Sequence, residues 1–207
     1  MIIGLIGNTR VGKDTVADYL VNNYNFKKYS FSEQIKIITK TIFSWDDNKL
    51  NNNDKDNIDE EFGIIPRDFY KWLGTDIMQH EFDKKFKHCN LPKKSIWAYS
   101  VMKKINHDLN NNDDNIVITD FRFLHEFNLF NKVFKNMNYF IINKQKIDLQ
   151  ILNKYTDYWQ YEIKPIIEII LHNKLNFNTI INNSTINNLY TNTDIIMNNE
   201  NIYKNNN

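Results

Sequence analysis

Apolar residues recur along this chain in two rhythms, short unbroken runs and longer stretches at helical spacing, and the two alternate from end to end. Met1-Ile2-Ile3-Gly4-Leu5-Ile6 is a run closed by glycine, as suits a buried parallel strand, and Val16, Ala17, Leu20 and Val21 follow at helical spacing. Residues 26–31 alternate as a second strand. Ser32-Glu33-Gln34 then opens a helix with Ile35, Ile38, Ile42 and Phe43 on one face. Pro66 suits the first turn of a helix carrying Phe69, Leu73, Ile77 and Phe82, with Gly74 as an interruption. The spacing of Ile96, Tyr99, Met102 and Ile105 predicts a helix over 95–109. Ile116-Val117-Ile118-Thr119 is a central strand running into Asp120-Phe121-Arg122, and a helix is expected over 123–137. Tyr139 to Ile142 reads as a fourth strand, 153–171 as a helix kinked or divided by Pro165, 177–181 as a fifth strand, and a last helix starts near Thr185. Strands alternating with helices predict an α/β fold, a five-stranded parallel sheet with helices on both faces.

The polar stretch 46–61, rich in Asn and Asp, reads as a surface loop or insertion, and 84–94 as a basic loop. Length and the absence of a glycine-rich linker point to a single domain over 1–207. Formal net charge is +1, so no global field favours nucleic acid as a partner. One cysteine, Cys89, excludes an internal disulfide framework, and no apolar run reaches a membrane span. With no basic leader ahead of the first strand, a cytoplasmic protein without membrane or nucleic-acid partners is expected.

Between the first strand and its helix stands Gly7-Asn8-Thr9-Arg10-Val11-Gly12-Lys13-Asp14-Thr15. Gly7 and Gly12 supply the spacing of a phosphate loop, whose main-chain N–H groups close around phosphates while the helix presents its positive N-terminal end. Gly7, Asn8, Arg10, Val11, Gly12, Lys13, Asp14 and Thr15 are therefore the expected nucleoside triphosphate cradle, with Lys13 on the β- and γ-phosphates. Asp14 occupies the place of the usual Ser or Thr. Mg²⁺ would be held either by Asp14 through water or by the Thr15 hydroxyl one residue later.

Composition sharpens one further signal. In a chain whose basic positions are nearly all lysine, only Arg10, Arg67 and Arg122 are arginine. A guanidinium grips phosphate with a planar fork that ammonium lacks, so these positions are candidates for phosphate contacts, the alternative being a structural ion pair. Asp120 either holds Mg²⁺ through water, fixes the acceptor sugar or phosphate site beside Arg122, or caps the following helix, and Glu126 reads as a solvated helix residue. His80, His88, His107, His125 and His172 read as scattered surface residues. None is assigned to catalysis, because a nucleotide phosphate is already ionised near neutral pH.

The ordered blocks Gly12-Lys13-Asp14-Thr15-Val16-Ala17, Ser30-Phe31-Ser32-Glu33-Gln34-Ile35-Lys36, the segment from Pro66 to Asp76, and Val117-Ile118-Thr119-Asp120-Phe121-Arg122-Phe123 resemble those of the viral, phage-type deoxynucleoside monophosphate kinases, which are P-loop nucleotide kinases. Residues 175–190 resemble their closing strand and helix. The resemblance implies a three-layer P-loop kinase fold and ATP-dependent, Mg²⁺-assisted phosphorylation of deoxynucleoside monophosphates. It implies that Lys13, Asp120 and Arg122 form the catalytic set, and that Arg67, Lys71, Gly74 and Thr75 join Asp120 and Arg122 at the acceptor. It implies a lid over about 145–172, where Lys144, Lys146, Lys154 or Lys164 replaces the usual arginine. If the source is viral, the location is the host cytoplasm, and a homodimer is left open. Lys71, Gln79 and Lys144 depart from the family pattern. Related small-molecule kinases acting on dephospho-coenzyme A, and a nucleotide-binding module without catalysis, are the competing readings.

Overall fold

In the computed structural model, which describes residues 1–51, 53–111, 114–144, 163–202 and 204, the chain divides into two compact units, Met1–Ser30 with Val101–Asn207, and Phe31–Ser100. The first unit holds strands β1 (Ile2–Ile6), β2 (Phe26–Tyr29), β3 (Asn115–Phe121), β4 (Met137–Asn143) and β5 (Phe177–Ile181). They pair in parallel in the order β2-β3-β1-β4-β5, so β1 and its loop sit at the centre. The expected five-stranded parallel sheet of an α/β fold is borne out.

Alternation along the strands sorts the two faces. Ile3, Leu5, Val117, Phe140, Ile142 and Ile180 join one core cluster with Val16, Ala17 and Leu20 of helix α1 (Lys13–Tyr24) and with Leu189 and Met197 of helix α9 (Ile186–Asn199). On the opposite face Phe121 and Tyr139 meet Phe130 and Phe127 of helix α7 (Leu124–Val133), with ring centroids 5.1 to 5.3 Å apart. Gly4 makes room there, since a Cβ would lie 2.8 Å from the Phe121 ring. All seven residues of β4 are buried, as a strand covered on both sides requires. Asp194 of α9 fastens α1, accepting from the Tyr19 and Tyr24 hydroxyls at 2.8 and 2.7 Å and from Lys204 at 2.7 Å.

The second unit contains helices α2 (Glu33–Phe43) and α3 (Asp47–Asn51), then a helical stretch of α4 (Pro66–Lys71), a π-helical segment Trp72–Glu81 and α5 (Phe82–Lys85). Helix α6 (Ile96–Asn111) crosses the boundary in sequence. Gly74 does not interrupt the helix as expected; the ladder widens instead. The Gly74 carbonyl accepts the Trp97 indole N–H at 2.9 Å, and a Cβ on Gly74 would lie 2.7 Å from Ile35. Residues 46–61 are more than a loop. They form α3 and a 3₁₀ turn, and buried Asp59 pairs with Lys49 and accepts the Phe62 N–H at 2.9 Å.

Other boundaries shift too. Strand β2 ends at Tyr29 rather than at residue 31, and α7 stops at Val133 because β4 starts at Met137. Ile42 is 58 % exposed and Thr39 is the buried residue of α2, its hydroxyl bonded back to Ile35. In α6 the buried stripe is Trp97, Ala98, Val101, Met102 and Ile105, so Met102 and Ile105 are buried as expected while Trp97, Ala98 and Val101 take the places expected of Ile96 and Tyr99. Pro165 stands in the first turn of helix α8 (Lys164–His172), where its missing N–H costs nothing. The rest of the helix expected over 153–171 lies outside the described residues.

Candidate functional site

The loop after β1 is shaped by its glycines. A Cβ on Gly7 would collide with the Ile142 carbonyl oxygen, and Gly12 has φ 100°, with the Asn182 amide 2.6 Å from where its Cβ would stand. Asn182, just beyond β5, donates to the Val11 carbonyl at 2.9 Å and holds the loop from outside it. Sequence reading gave Asn182 no role. Val11 is 4 % exposed and packs in the core, so only its main chain is available to a ligand. Arg10 takes a left-handed φ of 62° and is exposed at the tip.

Lys13 opens α1 and folds back over this loop, its ammonium donating to the Gly7 and Asn8 carbonyls, both at 2.8 Å. Burial pushes its pKa below the ordinary lysine value, Asp14 and Asp120 pull it back up, and Arg122 pushes it further down. Because Ile6 of β1 lies opposite Phe121 of β3, Asp120 and Arg122 leave the sheet beside the loop that carries Lys13. Asn8 carries an amide oxygen that is buried without a partner among the described residues. Because an amide can be turned end for end, this position is equipped to present N–H to a phosphate. Asp14 is exposed and lies 3.4 Å from the Lys28 ammonium, while Thr15 is half-buried.

Asp120 and Arg122 leave the end of β3, the strand beside β1. Asp120 is not the helix cap: Phe123 occupies that place, and Asp120 accepts the Ser30 hydroxyl at 2.8 Å. The capping group is Glu126. Its Oε2 accepts the main-chain N–H of Phe123 at 2.9 Å and of Arg122 at 3.1 Å, and the residue is only 3 % exposed. The solvated Glu126 expected from sequence is therefore corrected. Desolvation pushes its pKa up to about 8, Asp120 adds to the rise, and the two N–H donors and Arg122 oppose it. Its place at the third position of α7 was the available signal, masked by an ordinary helical context. The Arg122 guanidinium carbon lies 5.9 Å from the Phe123 ring centroid, and that ring stacks on His125 at 5.4 Å. His125 is thus half-buried rather than a surface residue.

The remaining acceptor candidates, Arg67, Lys71, Gly74 and Thr75, belong to the Phe31–Ser100 unit. Arg67 sets its guanidinium fork on Asp56, through Nε to one oxygen and Nη2 to the other at 3.0 Å. This is the structural ion pair that the arginine argument left open. Lys71 is exposed, Gly74 buried and Thr75 half-buried. Among the lid candidates, Lys144 is exposed and Lys164 lies 3.6 Å from Glu168, whereas Lys146 and Lys154 fall outside the described residues. The described residues contain no group of three or more His, Cys, Asp or Glu arranged to hold a metal, and no helix long and apolar enough to cross a membrane.

The resemblance read from the sequence is borne out by comparison with known proteins. Residues 1–61 match the model of the family "Deoxynucleotide monophosphate kinase". A protein of Acanthamoeba polyphaga mimivirus, named "Putative deoxynucleotide monophosphate kinase", is 29% identical over 133 residues, 61% of this chain and 66% of the relative. The chain thus spans just under two thirds of the curated relative it matches. Among solved structures, a dephospho-CoA kinase from Campylobacter jejuni has TM-score 0.46 at 16% identity, covering 98% of this chain and 97% of its own. A deoxyadenosine kinase from M. mycoides with bound dATP has TM-score 0.45 at 14% identity, covering 97% and 100%. A sugar kinase from Janibacter has TM-score 0.47 at 8% identity, covering 97% and 94%. At these scores no residue or ligand is carried across.

Proposed function

We propose that this chain is a nucleoside monophosphate kinase of the deoxynucleotide type, moving the γ-phosphoryl group of ATP to the 5′-phosphate of a deoxynucleoside monophosphate. The observation that carries the reading is the convergence of Lys13, in a glycine-shaped loop after β1, with Asp120 and Arg122 at the end of the adjacent strand. The family match over residues 1–61 and the viral relative support the choice of acceptor. Work in the cytoplasm of an infected host cell is part of this reading, supported by the viral source of that relative.

Phosphoryl transfer needs alignment and charge neutralisation more than covalent help. Loop N–H groups cradle the donor phosphates, and the Lys13 ammonium leaves the Gly7 and Asn8 carbonyls for the phosphate oxygens. Arg122 grips the acceptor phosphate with its fork. Asp120, held by Ser30, orients the acceptor. The acceptor roles of Arg67, Lys71, Gly74 and Thr75 rest on the resemblance.

The donor set suits Mg²⁺, which takes one or two carboxylates together with substrate phosphates rather than an all-protein cage. Either Asp14, through water, or the Thr15 hydroxyl would hold it, where it would supply positive charge to the phosphate oxygens.

A coupled assay with ATP and Mg²⁺ against each common deoxynucleoside and ribonucleoside monophosphate tests the proposal. Diphosphate formation from one or more deoxynucleotides is expected. Transfer to dephospho-coenzyme A alone, or ATP binding without transfer to any acceptor, would overturn it.

A further inference from the structure

We infer that Glu126 is a positioning residue that aims Arg122 at the acceptor, an assignment resting on the acceptor reading of Arg122 above. Residues 121–123 carry the chain from β3 into α7, and Arg122 projects from this short connection. One carboxyl oxygen gathers two consecutive main-chain N–H groups, those of Arg122 and Phe123. Fixing two successive peptide units fixes the direction in which the Arg122 side chain leaves the backbone. The Phe123 ring, itself stacked on His125, then offers a face to the guanidinium. Carboxyl, peptide pair and ring together form a mount for one guanidinium.

A carboxyl group is an expensive choice for an interior, because burial disfavours its charge. Where only a helix cap is needed, an exposed Ser, Thr or Asp suffices. Glu126 instead lies inside, its side chain reaching back from the third helical position to two donors ahead of the helix. The reach depends on side-chain length, and the acceptor atom matters more than the charge: burial favours the neutral acid, whose carbonyl oxygen still accepts both bonds. Glutamine reproduces that neutral shape, and aspartate keeps the carboxyl group but is one methylene short.

These two variants separate positioning from charge. Glu126→Asp is expected to raise the KM for the monophosphate about tenfold, the scale of one lost charge-assisted contact, with the KM for ATP within twofold. Glu126→Gln recovers most of that loss. Amide hydrogen exchange in the ligand-free protein provides a second readout, with the Arg122 and Phe123 N–H groups protected in the parent and Glu126→Gln and unprotected in Glu126→Asp. An unchanged monophosphate KM in Glu126→Asp, or a Glu126→Gln variant as impaired as Glu126→Asp, would overturn the inference. A lowered melting temperature with both Michaelis constants unmoved would assign Glu126 to stability alone. Should the parent phosphorylate no monophosphate, the functional reading fails, and the exchange data still decide whether Glu126 fixes the turn.

Discussion

Two neighbouring parallel strands end in turns built on opposite principles. The loop after β1 is made by what is missing: Gly7 and Gly12 lack side chains where the Ile142 carbonyl and the Asn182 amide stand; in the function proposed above its main-chain groups face a phosphate. The turn after β3 is made by what is added, a buried carboxyl at Glu126 that collects the N–H groups of Arg122 and Phe123; in the function proposed above the arginine does the gripping. A cradle of main chain tolerates no substitution at its glycines but needs little support from side chains. A gripping side chain needs a mount, and the mount depends on burial.

The difference can be broken at several points. The largest effect is expected at Lys13, the cation that folds back over the first turn. Lys13→Ala should lower kcat on the order of a thousandfold, as removal of a preorganised charge stabiliser does, with the melting temperature nearly unchanged. Steady-state turnover against thermal unfolding checks this, and activity within a few-fold of the parent would remove the loop from the chemistry.

Next in size is the pH dependence that the second turn alone should carry. Burial raises the Glu126 pKa from 4.5 to about 8, with Asp120 adding to the rise and Arg122 opposing it. Between those values the folded state holds a proton that the unfolded state has released. The stabilisation from Glu126 is therefore fully present below about pH 4.5 and is lost as pH rises toward 8. The loss amounts to a few kcal/mol at about 1.4 kcal/mol per pH unit. Urea midpoints from pH 5 to 9 should fall more steeply in the parent than in Glu126→Gln, and parallel profiles would contradict the assignment.

The smallest effect sharpens the roles of the arginines. Arg122→Lys keeps the charge and loses the fork, so kcat/KM for the monophosphate should fall roughly tenfold to a hundredfold while the KM for ATP stays put. A rise in the ATP KM with the acceptor spared would move Arg122 to the donor side.

Much of this was legible in the sequence because it is periodic or steric. The strands of the first unit pattern as buried runs, and the two glycines mark a turn in which a Cβ at Gly7 or Gly12 would meet a neighbour too closely. Asp120 and Arg122 were visible as a polar ending to an apolar strand. What sequence reading missed is mostly a side chain whose surroundings come from distant segments. Glu126 has the spacing of any helical glutamate, and only the fold shows it buried; Asn182 reaches Val11 across 171 positions. The same holds for Asp194, whose partners Tyr19 and Tyr24 lie at the other end of the chain. In the second unit the expected faces slipped. Helix α2 buries a threonine and exposes Ile42, and a polar stretch that read as loop folds around the Lys49–Asp59 pair. The scarcity of arginine flagged Arg67 and Arg122 alike, and the structure separates them by giving the fork of one to Asp56.

The most direct test of the central claim follows the phosphoryl group itself. Protein is incubated with γ-labelled ATP, Mg²⁺ and a deoxynucleoside monophosphate, and the products are separated. The account predicts label in the deoxynucleoside diphosphate with the parent protein and none with Lys13→Ala. Label appearing only as inorganic phosphate, or remaining in ATP with every monophosphate offered, would contradict it.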